Sequence, residues 1–224
     1  MRVLVLAPHA DDEVLGCGGA IRHHVLAGDH VSVAIMTNAA KGAPDLFSED
    51  DIRRVREEAR AAHALLGVNA TIFEDFPAPC LDQVPRHRIA DRISQIIAQC
   101  ETEILYVPFR ADLHVDHRIL FDAALVAARP FPSQKVRCVY SYETLSETEW
   151  AAPAAENAFL AVRYLNIEPH LEAKIAAMNC YASQLRDFPH PRSPDAIRNL
   201  AAMRGSQCGR KAAEAFWVIR EVVD

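Results

Sequence analysis

The 224-residue sequence has no long apolar run, no excess of basic charge and no pair of cysteines in CxxC spacing. The apolar run near the start, residues 3–7, is too short for a signal-peptide core or a membrane span. Lys and Arg number 24 against 30 Asp and Glu, and this net charge of −6 argues against a nucleic-acid partner. The six scattered cysteines exclude a zinc ribbon and a thioredoxin-type motif. We therefore expect a cytoplasmic protein with reduced thiols and no membrane span.

Glycine is also scarce, yet three of the eight glycines, Gly16, Gly18 and Gly19, stand close together. Their order is not GxGxxG, and no acidic residue follows the second predicted strand at Thr37 and Asn38, which argues against a dinucleotide site. We expect these glycines to let the backbone turn tightly, since glycine tolerates positive φ.

The remaining composition is that of an ordinary globular domain. Half of the residues are hydrophobic and 24% are charged, and we find no repeat, low-complexity tract or linker. A single domain spanning residues 1–224 is the simplest prediction. The sequence leaves the oligomeric state open, and a homo-oligomer is compatible with it.

Short apolar runs alternate with helical patterns along the chain. A helix over 51–66 has the clearest pattern, with Ser48 as a possible cap and Gly67 at its end. This alternation predicts an α/β fold, specifically a Rossmann-like doubly wound, mainly parallel sheet with helices on both faces and right-handed crossovers. The predicted strands cover 2–7, 31–36, 71–73, 104–108, 136–142 and part of 158–167, and the predicted helices cover 19–27, 51–66, 88–100, 117–128, 169–183 and 195–203.

An acidic motif with one histidine follows the first predicted strand. It reads His9, Ala10, Asp11, Asp12, Glu13, and the carboxyl ends of parallel strands are where ligands bind. Adjacent residues project in different directions, so Asp11 and Asp12 are expected to divide their roles. One would bind a metal with His9, and the other would take a proton from water that the metal acidifies. The alternative is that one of the two aspartates only caps the following helix.

A second cluster, His114, Asp116 and His117, follows the fourth predicted strand. One imidazole would complete the metal shell. The other, held protonated, would stabilise an oxyanion or protonate a leaving amine, and Asp116 can orient one of the rings. Taken singly, each histidine is more often a surface or packed residue, but two clusters at strand ends favour a metal-dependent hydrolase.

Arginines near the C-terminus are candidates for substrate contacts. Arg186, Arg192 and Arg204 can line a pocket for a polar or anionic substrate, and the alternative is a solvated loop.

The two histidine clusters resemble the signatures of the PIG-L or LmbE-like family of zinc-dependent N-deacetylases, and the resemblance runs nearly end to end. It implies that His9, Asp12 and His117 bind zinc, that Asp11 is the general base, and that His114, oriented by Asp116, stabilises the oxyanion. Weaker family-like pieces are Glu58 with Gly67, Lys174, residues 181–184 and residues 213–216.

The implied activity is removal of an acetyl group from an N-acetylglucosamine-type sugar or glycoconjugate, releasing acetate and a free amine. Zinc is the implied cofactor, and Fe²⁺ or another divalent ion also fits a His/Asp/His site. Family members often carry an arginine where this chain has Val55, and Arg56 or Arg53 can take its place. Arg56, Arg192 and Arg204 are therefore the predicted substrate contacts.

Two other functions stay open at this point. A metal-dependent hydratase of a small unsaturated acid would use Arg192 and Arg204 as carboxylate clamps. A noncatalytic sugar- or nucleotide-binding domain would bind its ligand without metal or turnover.

Overall fold

The computed structural model describes residues 1–223 and contains a seven-stranded sheet in the order β3-β2-β1-β4-β5-β7-β6. Six strands run in one direction, and β7 pairs antiparallel with both β5 and β6. The predicted mainly parallel α/β sheet is confirmed. The strands are β1 Arg2–Ala7, β2 His30–Asn38, β3 Ala70–Pro77, β4 Ile104–Val107, β5 Cys138–Tyr142, β6 Arg163–Asn166 and β7 Ala213–Glu221.

Helices cover both faces of the sheet, as predicted. They are α1 Asp12–Leu26, α2 Ala39–Gly42, α3 Glu49–Leu66, α4 Arg86–Cys100, α5 Val115–Ala127, α6 Leu171–Cys180 and α7 Pro194–Cys208. Side chains alternate along β1, so Val3 and Val5 join a core with α1, α3 and α6, whereas Leu4 and Leu6 join a second core with α4 and α5. A strand buried on both faces explains why β1 is continuously apolar.

The first helix begins earlier than predicted, at Asp12 instead of residue 19, and it contains all three clustered glycines. None of them has positive φ, so the expected tight turn was wrong. They permit close packing instead: a Cβ on Gly16 would lie 2.2 Å from Cδ2 of Tyr142, and one on Gly19 would lie 2.5 Å from Cγ2 of Ile167. Contacts of this kind come from distant segments and leave no local signal.

The other elements lie close to their predicted positions, with two exceptions. The capping of α3 by Ser48 and its end at Gly67, which has φ 84°, are confirmed. Strand β7, Ala213–Glu221, and the short helix α2, Ala39–Gly42, are not among the predicted elements. Strand β7 carries the apolar run 215–219, which was a visible strand signal that the prediction did not use.

The connections around β1 create the crevice in which the candidate site lies. From β1 the chain passes to β2 and β3 on one side, and β4 and β5 lie on the other side. Such a switch point leaves a crevice beyond the carboxyl ends of β1 and β4, where doubly wound proteins bind ligands. No helix in residues 1–223 has the length and apolar character needed to cross a membrane.

Candidate functional site

The two predicted clusters meet in this crevice. His9 follows β1, while His114 and His117 lie at the start of α5, which follows β4. The ring centroids of His9 and His114 are 4.5 Å apart, and those of His9 and His117 are 5.3 Å apart. Residues more than a hundred positions apart in sequence thus form one group.

One oxygen of Asp12 lies between two imidazoles. Asp12 Oδ2 is 3.3 Å from His9 Nδ1 and 3.2 Å from His117 Nε2. Two ligands of a tetrahedral zinc ion, each about 2.0–2.1 Å from it, are about 3.3 Å apart. The spacing of these three donors therefore fits a metal ion.

The surroundings of His117 support the same interpretation. Its Nδ1 is 2.8 Å from Asp112 Oδ2, whereas its buried Nε2 has no correctly oriented hydrogen-bond partner among residues 1–223, despite its distance from Asp12. A carboxylate on one ring nitrogen commonly orients a metal-binding histidine and leaves the other nitrogen for the ion. Burial opposes protonation of His117, but Asp12 and Asp112 outweigh it and raise its pKa well above its usual value. The acidic groups around the His117 ring therefore favour a positive charge at this place in the site.

The ring of His9 is shared between two acidic groups. Its Nε2 lies 3.1 Å from Asp116 Oδ2, and the other Asp116 oxygen accepts a hydrogen bond from the backbone N–H of Leu81. His9 is partly exposed, and although desolvation disfavours its charged form, hydrogen bonds to Asp116 and Asp12 raise its pKa to about 9. His9, His114 and Asp116 form a second group with possible metal-ligand spacing.

His114 differs from its prediction in two respects. Asp116 does not orient it through its carboxylate, which is 3.9 Å from His114 Nδ1; instead the backbone N–H of Asp116 donates to that nitrogen over 3.1 Å. Burial, together with the positive charges of His9 and His117, disfavours a second ring proton and lowers the pKa of His114 to about 4. The lowered pKa favours a neutral ring, in contrast to the protonated ring expected from the sequence, and the accepting Nδ1 places the proton of the neutral ring on Nε2.

Asp11 is a buried carboxylate in a strained backbone conformation. Its φ is 112°, its side chain makes no hydrogen bond that caps α1, and its Oδ2 has no hydrogen-bond partner in residues 1–223. The capping alternative for Asp11 is therefore excluded. Burial raises its pKa to about 8, although Arg192, whose Nη1 is 3.5 Å from Oδ2, opposes the shift. A carboxyl group tuned to this range is suited to proton transfer near neutral pH.

Glu13 fixes the backbone at Asp11 from within the protein. Its Oε2 accepts the N–H of Asp11, and its Oε1 accepts the Tyr181 hydroxyl at 2.5 Å and lies 3.1 Å from His63 Nε2. This spare carboxylate of the motif is thus fully used in holding Asp11 in place.

A cleft of about 550 Å³ opens over these groups. Of the predicted substrate contacts, Arg56 and Arg192 line it, whereas Arg204 does not. Arg204 forms a bidentate pair with Glu143, with distances of 2.7 and 2.5 Å, so its predicted place in the site was wrong. Its position on α7 directs it to another crevice, which the spacing of residues could not reveal.

Within residues 1–223, three of the four arginines that line the cleft lie beside acidic side chains. Arg54 and Arg56 pair with aspartates, and Arg192 lies beside Asp11. Arg186 also lines the cleft, but among residues 1–223 its guanidinium group donates only to the carbonyl oxygens of Ser183 and Leu185.

Several residues that support the site were not predicted from the sequence. Asp112 lies five positions before His117, and an acidic residue so near a histidine motif was a usable signal. Glu147 and Thr148 lie in a turn after β5, and no local pattern marks them. They are close to the site only because β5 is next to β4 in the sheet.

Comparison with known proteins gives the family. The model described as PIG-L, GlcNAc-PI de-N-acetylase, matches residues 4–128. YaiS of Escherichia coli strain K12, described as an uncharacterized deacetylase, is 28% identical over 152 residues, which are 64% of this chain and 74% of YaiS.

Solved structures give the same fold. GalB, the 4-carboxy-2-hydroxymuconate hydratase of Pseudomonas putida KT2440, has a TM-score of 0.81 at 21% identity, covering 100% of this chain and 98% of GalB. The N,N'-diacetylchitobiose deacetylase of Pyrococcus horikoshii has a TM-score of 0.77 at 19% identity, covering 97% and 83%. Because the family model covers more than half of the sequence and includes both histidine clusters, the chain belongs to the PIG-L family of deacetylases.

Proposed function

We propose that this protein is a metal-dependent hydrolase that removes the acetyl group from an N-acetylglucosamine-type sugar or glycoconjugate. The observation that carries the proposal is the buried His117 Nε2, which has no hydrogen-bond partner within residues 1–223, faces Asp12 and lies in one crevice with Asp11. The family description and the chitobiose deacetylase of the same fold support the choice of an N-acetylated sugar.

His9, Asp12 and His117 would hold the ion, with zinc as the expected metal and Fe²⁺ as a second possibility. When bound, a divalent cation supplies Lewis acidity that polarises the amide carbonyl and lowers the pKa of water. Asp112 orients His117 through Nδ1, and Asp116 orients His9 through Nε2. The ligand rings are thereby fixed before substrate arrives.

The protein's own groups would move the protons. With a cation in the site stabilising its carboxylate form, Asp11 would accept a proton from the attacking water, and its raised pKa suits the return of that proton to the leaving nitrogen. His114, neutral with its proton on Nε2, donates a hydrogen bond to the developing oxyanion. Arg192 keeps a positive charge beside Asp11, and Arg56 on the cleft wall contacts the sugar.

The test combines metal analysis with product analysis. Elemental analysis should find near-stoichiometric divalent metal in the wild type and little in His117→Ala, while the exposed His87→Ala serves as the matched control. Acetate release should be measured with N-acetylglucosamine and N,N'-diacetylchitobiose, with and without chelator. Acetate release that persists in the metal-free protein, or that is absent with every N-acetylated sugar tried, would contradict the proposal.

Hydration of an unsaturated acid is the second candidate, because GalB shares the fold with a TM-score of 0.81. The geometry supports it less well, since Arg204 is paired with Glu143 outside the cleft and cannot join Arg192 as a carboxylate clamp. A product with a new hydroxyl group and no acetate would favour the hydratase. Tight sugar binding without metal or turnover would favour a binding domain.

A further inference from the structure

Three consecutive side chains in one turn each hold a different part of the candidate site. The turn comprises residues 144–149 and follows β5. Ser146 accepts from Arg192 Nε over 3.0 Å, Glu147 accepts the backbone N–H of His114 over 3.0 Å, and Thr148 donates to Asp112 Oδ1 over 2.6 Å. None of these three residues belongs to either histidine motif.

The contact of Thr148 leads directly to a candidate metal ligand. Asp112 uses Oδ1 for the Thr148 hydroxyl and Oδ2 for His117 Nδ1. The Thr148 oxygen also accepts the backbone N–H of Thr144 over 2.9 Å, so its position is fixed from both sides. The hydroxyl thereby restricts the carboxylate that orients the His117 ring.

The contacts of Glu147 and Ser146 lead to the groups that would act on the substrate. Glu147 is 8% exposed; its Oε2 holds the backbone of His114, and its Oε1 is 3.9 Å from Arg192 Nη2. Ser146, which is 2% exposed, has φ 74°, an unfavourable conformation for a residue with a Cβ. Its left-handed backbone is part of the turn that carries all three side chains, which is typical of strain retained at a functional site.

We propose that Ser146, Glu147 and Thr148 are positioning residues with separable effects, Thr148 on metal affinity through Asp112 and His117, and Glu147 and Ser146 on turnover through His114 and Arg192. The inference rests on the proposed function for its turnover part. Its metal part requires only that the site binds a divalent ion.

The first experiment measures zinc affinity by competition with a chromophoric chelator, without substrate. Thr148→Val should weaken zinc binding on the order of 10–100-fold, the usual effect of losing an outer partner of a ligand. Thr148→Ser keeps the hydroxyl and should restore the affinity. Thr144→Val is the matched control, because it removes the same group from the same turn and the Thr144 hydroxyl has no hydrogen-bond partner among residues 1–223.

The second experiment measures kcat at saturating zinc. Thr148→Val should then recover most of the wild-type kcat, whereas Glu147→Ala should keep its zinc affinity and lose turnover, with Glu147→Gln retaining part of it. Ser146→Ala and Ser146→Gly should both lose turnover, since both lack the hydroxyl. A glycine variant with full activity would show that only the backbone conformation matters at this position.

Equal loss of zinc affinity in Thr148→Val and Thr144→Val, or unchanged affinity in Thr148→Val, would overturn the proposal. So would a parallel fall of affinity and kcat in Glu147→Ala, which is what a loosened fold produces. Wild-type protein that binds zinc but releases no acetate would refute the proposed function. The zinc affinities of Thr148→Val and Thr144→Val would then still decide the role of Thr148. Wild-type protein that binds no divalent ion would overturn both.

Discussion

Asp11→Asn should make the protein more stable and inactive. The Asp11 carboxyl is 2% exposed, one of its oxygens has no hydrogen-bond partner among residues 1–223, and its pKa is raised to about 8 by burial. An ionised carboxylate is therefore costly at this position, whereas a neutral amide of the same shape is not. Asparagine also tolerates φ of 112° better than most residues.

The size of the effect follows from proton linkage. The folded state keeps the Asp11 proton up to about pH 8, while the unfolded chain loses it near the ordinary value of 3.8. Between these values the folded state binds more protons, so the group makes the wild type less stable as pH rises, by up to about 1.4 kcal/mol per pH unit. At pH 7 the gap between Asp11→Asn and the wild type has a ceiling of about 4 kcal/mol.

The assay is denaturant unfolding of both chelator-treated proteins at several values between pH 5 and pH 8. The stability gap should widen with pH, and zinc should narrow it, because a cation near Asp12 stabilises the carboxylate. Asp12→Asn is a control with the opposite expected sign. Burial raises the pKa of Asp12, but His117 and His9 lower it well below 3.8, so the native structure stabilises the ionised carboxylate. Asp12→Asn should therefore be less stable than the wild type. With metal bound, Asp11→Asn should lose on the order of 10²–10⁴ in kcat. A gap that does not widen with pH, or normal turnover, would refute the reasoning.

Three further predictions concern the oxyanion group, the helix packing and the cleft charge. His114→Ala should keep its metal in elemental analysis but lose about 10²–10³ in kcat, and normal turnover would exclude the oxyanion role. Gly16→Ala should lower the free energy of unfolding by about 1–3 kcal/mol in denaturant titration, because the new Cβ would lie 2.2 Å from the buried Tyr142 ring. Unchanged stability would mean that the Tyr142 ring can move aside. Arg186→Gln should raise KM for N-acetylglucosamine 6-phosphate more than for N-acetylglucosamine. Arg53→Gln, which lies outside the cleft, should change neither KM value. Equal effects of Arg186→Gln on the two KM values would exclude a contact between Arg186 and the phosphate anion.

The sequence predicted the parts of the fold that depend on local patterns. Strand β1 was visible because it is apolar on both faces, and α3 because Ser48, its amphipathic pattern and Gly67 are all local signals. The predicted start of α1 is wrong because Gly16, Gly18 and Gly19 lie within the helix and do not form a turn. Their cause is distant: Tyr142, Lys174 and Ile167 occupy the space that side chains would need.

The sequence motifs of the candidate site could be predicted, but the hydrogen bonds between its side chains could not. Both histidine clusters were found, since the ends of parallel strands are natural ligand sites. The partner of the Asp116 carboxylate is His9 rather than His114, and this depends on how α5 is placed against β1. The weaker motifs also meet only in three dimensions: Ser183 donates two hydrogen bonds to Glu58, and Lys174 pairs with the buried Glu214.

The energetically unfavourable features of the site lie at Asp11, where neighbouring residues compensate for them. Asp11 combines positive φ with a buried oxygen that has no hydrogen-bond partner in the described residues 1–223, and each such feature costs on the order of 1–3 kcal/mol. The compensation lies behind it, since Glu13 accepts the Asp11 N–H and is itself held by Tyr181 and His63. A chain selected only for stability would not retain a strained acid that its own fold destabilises. The strained backbone and the buried carboxyl group of Asp11 therefore indicate that this residue is retained for its chemistry. The hydrogen bonds around Glu13 are retained because they keep Asp11 in position.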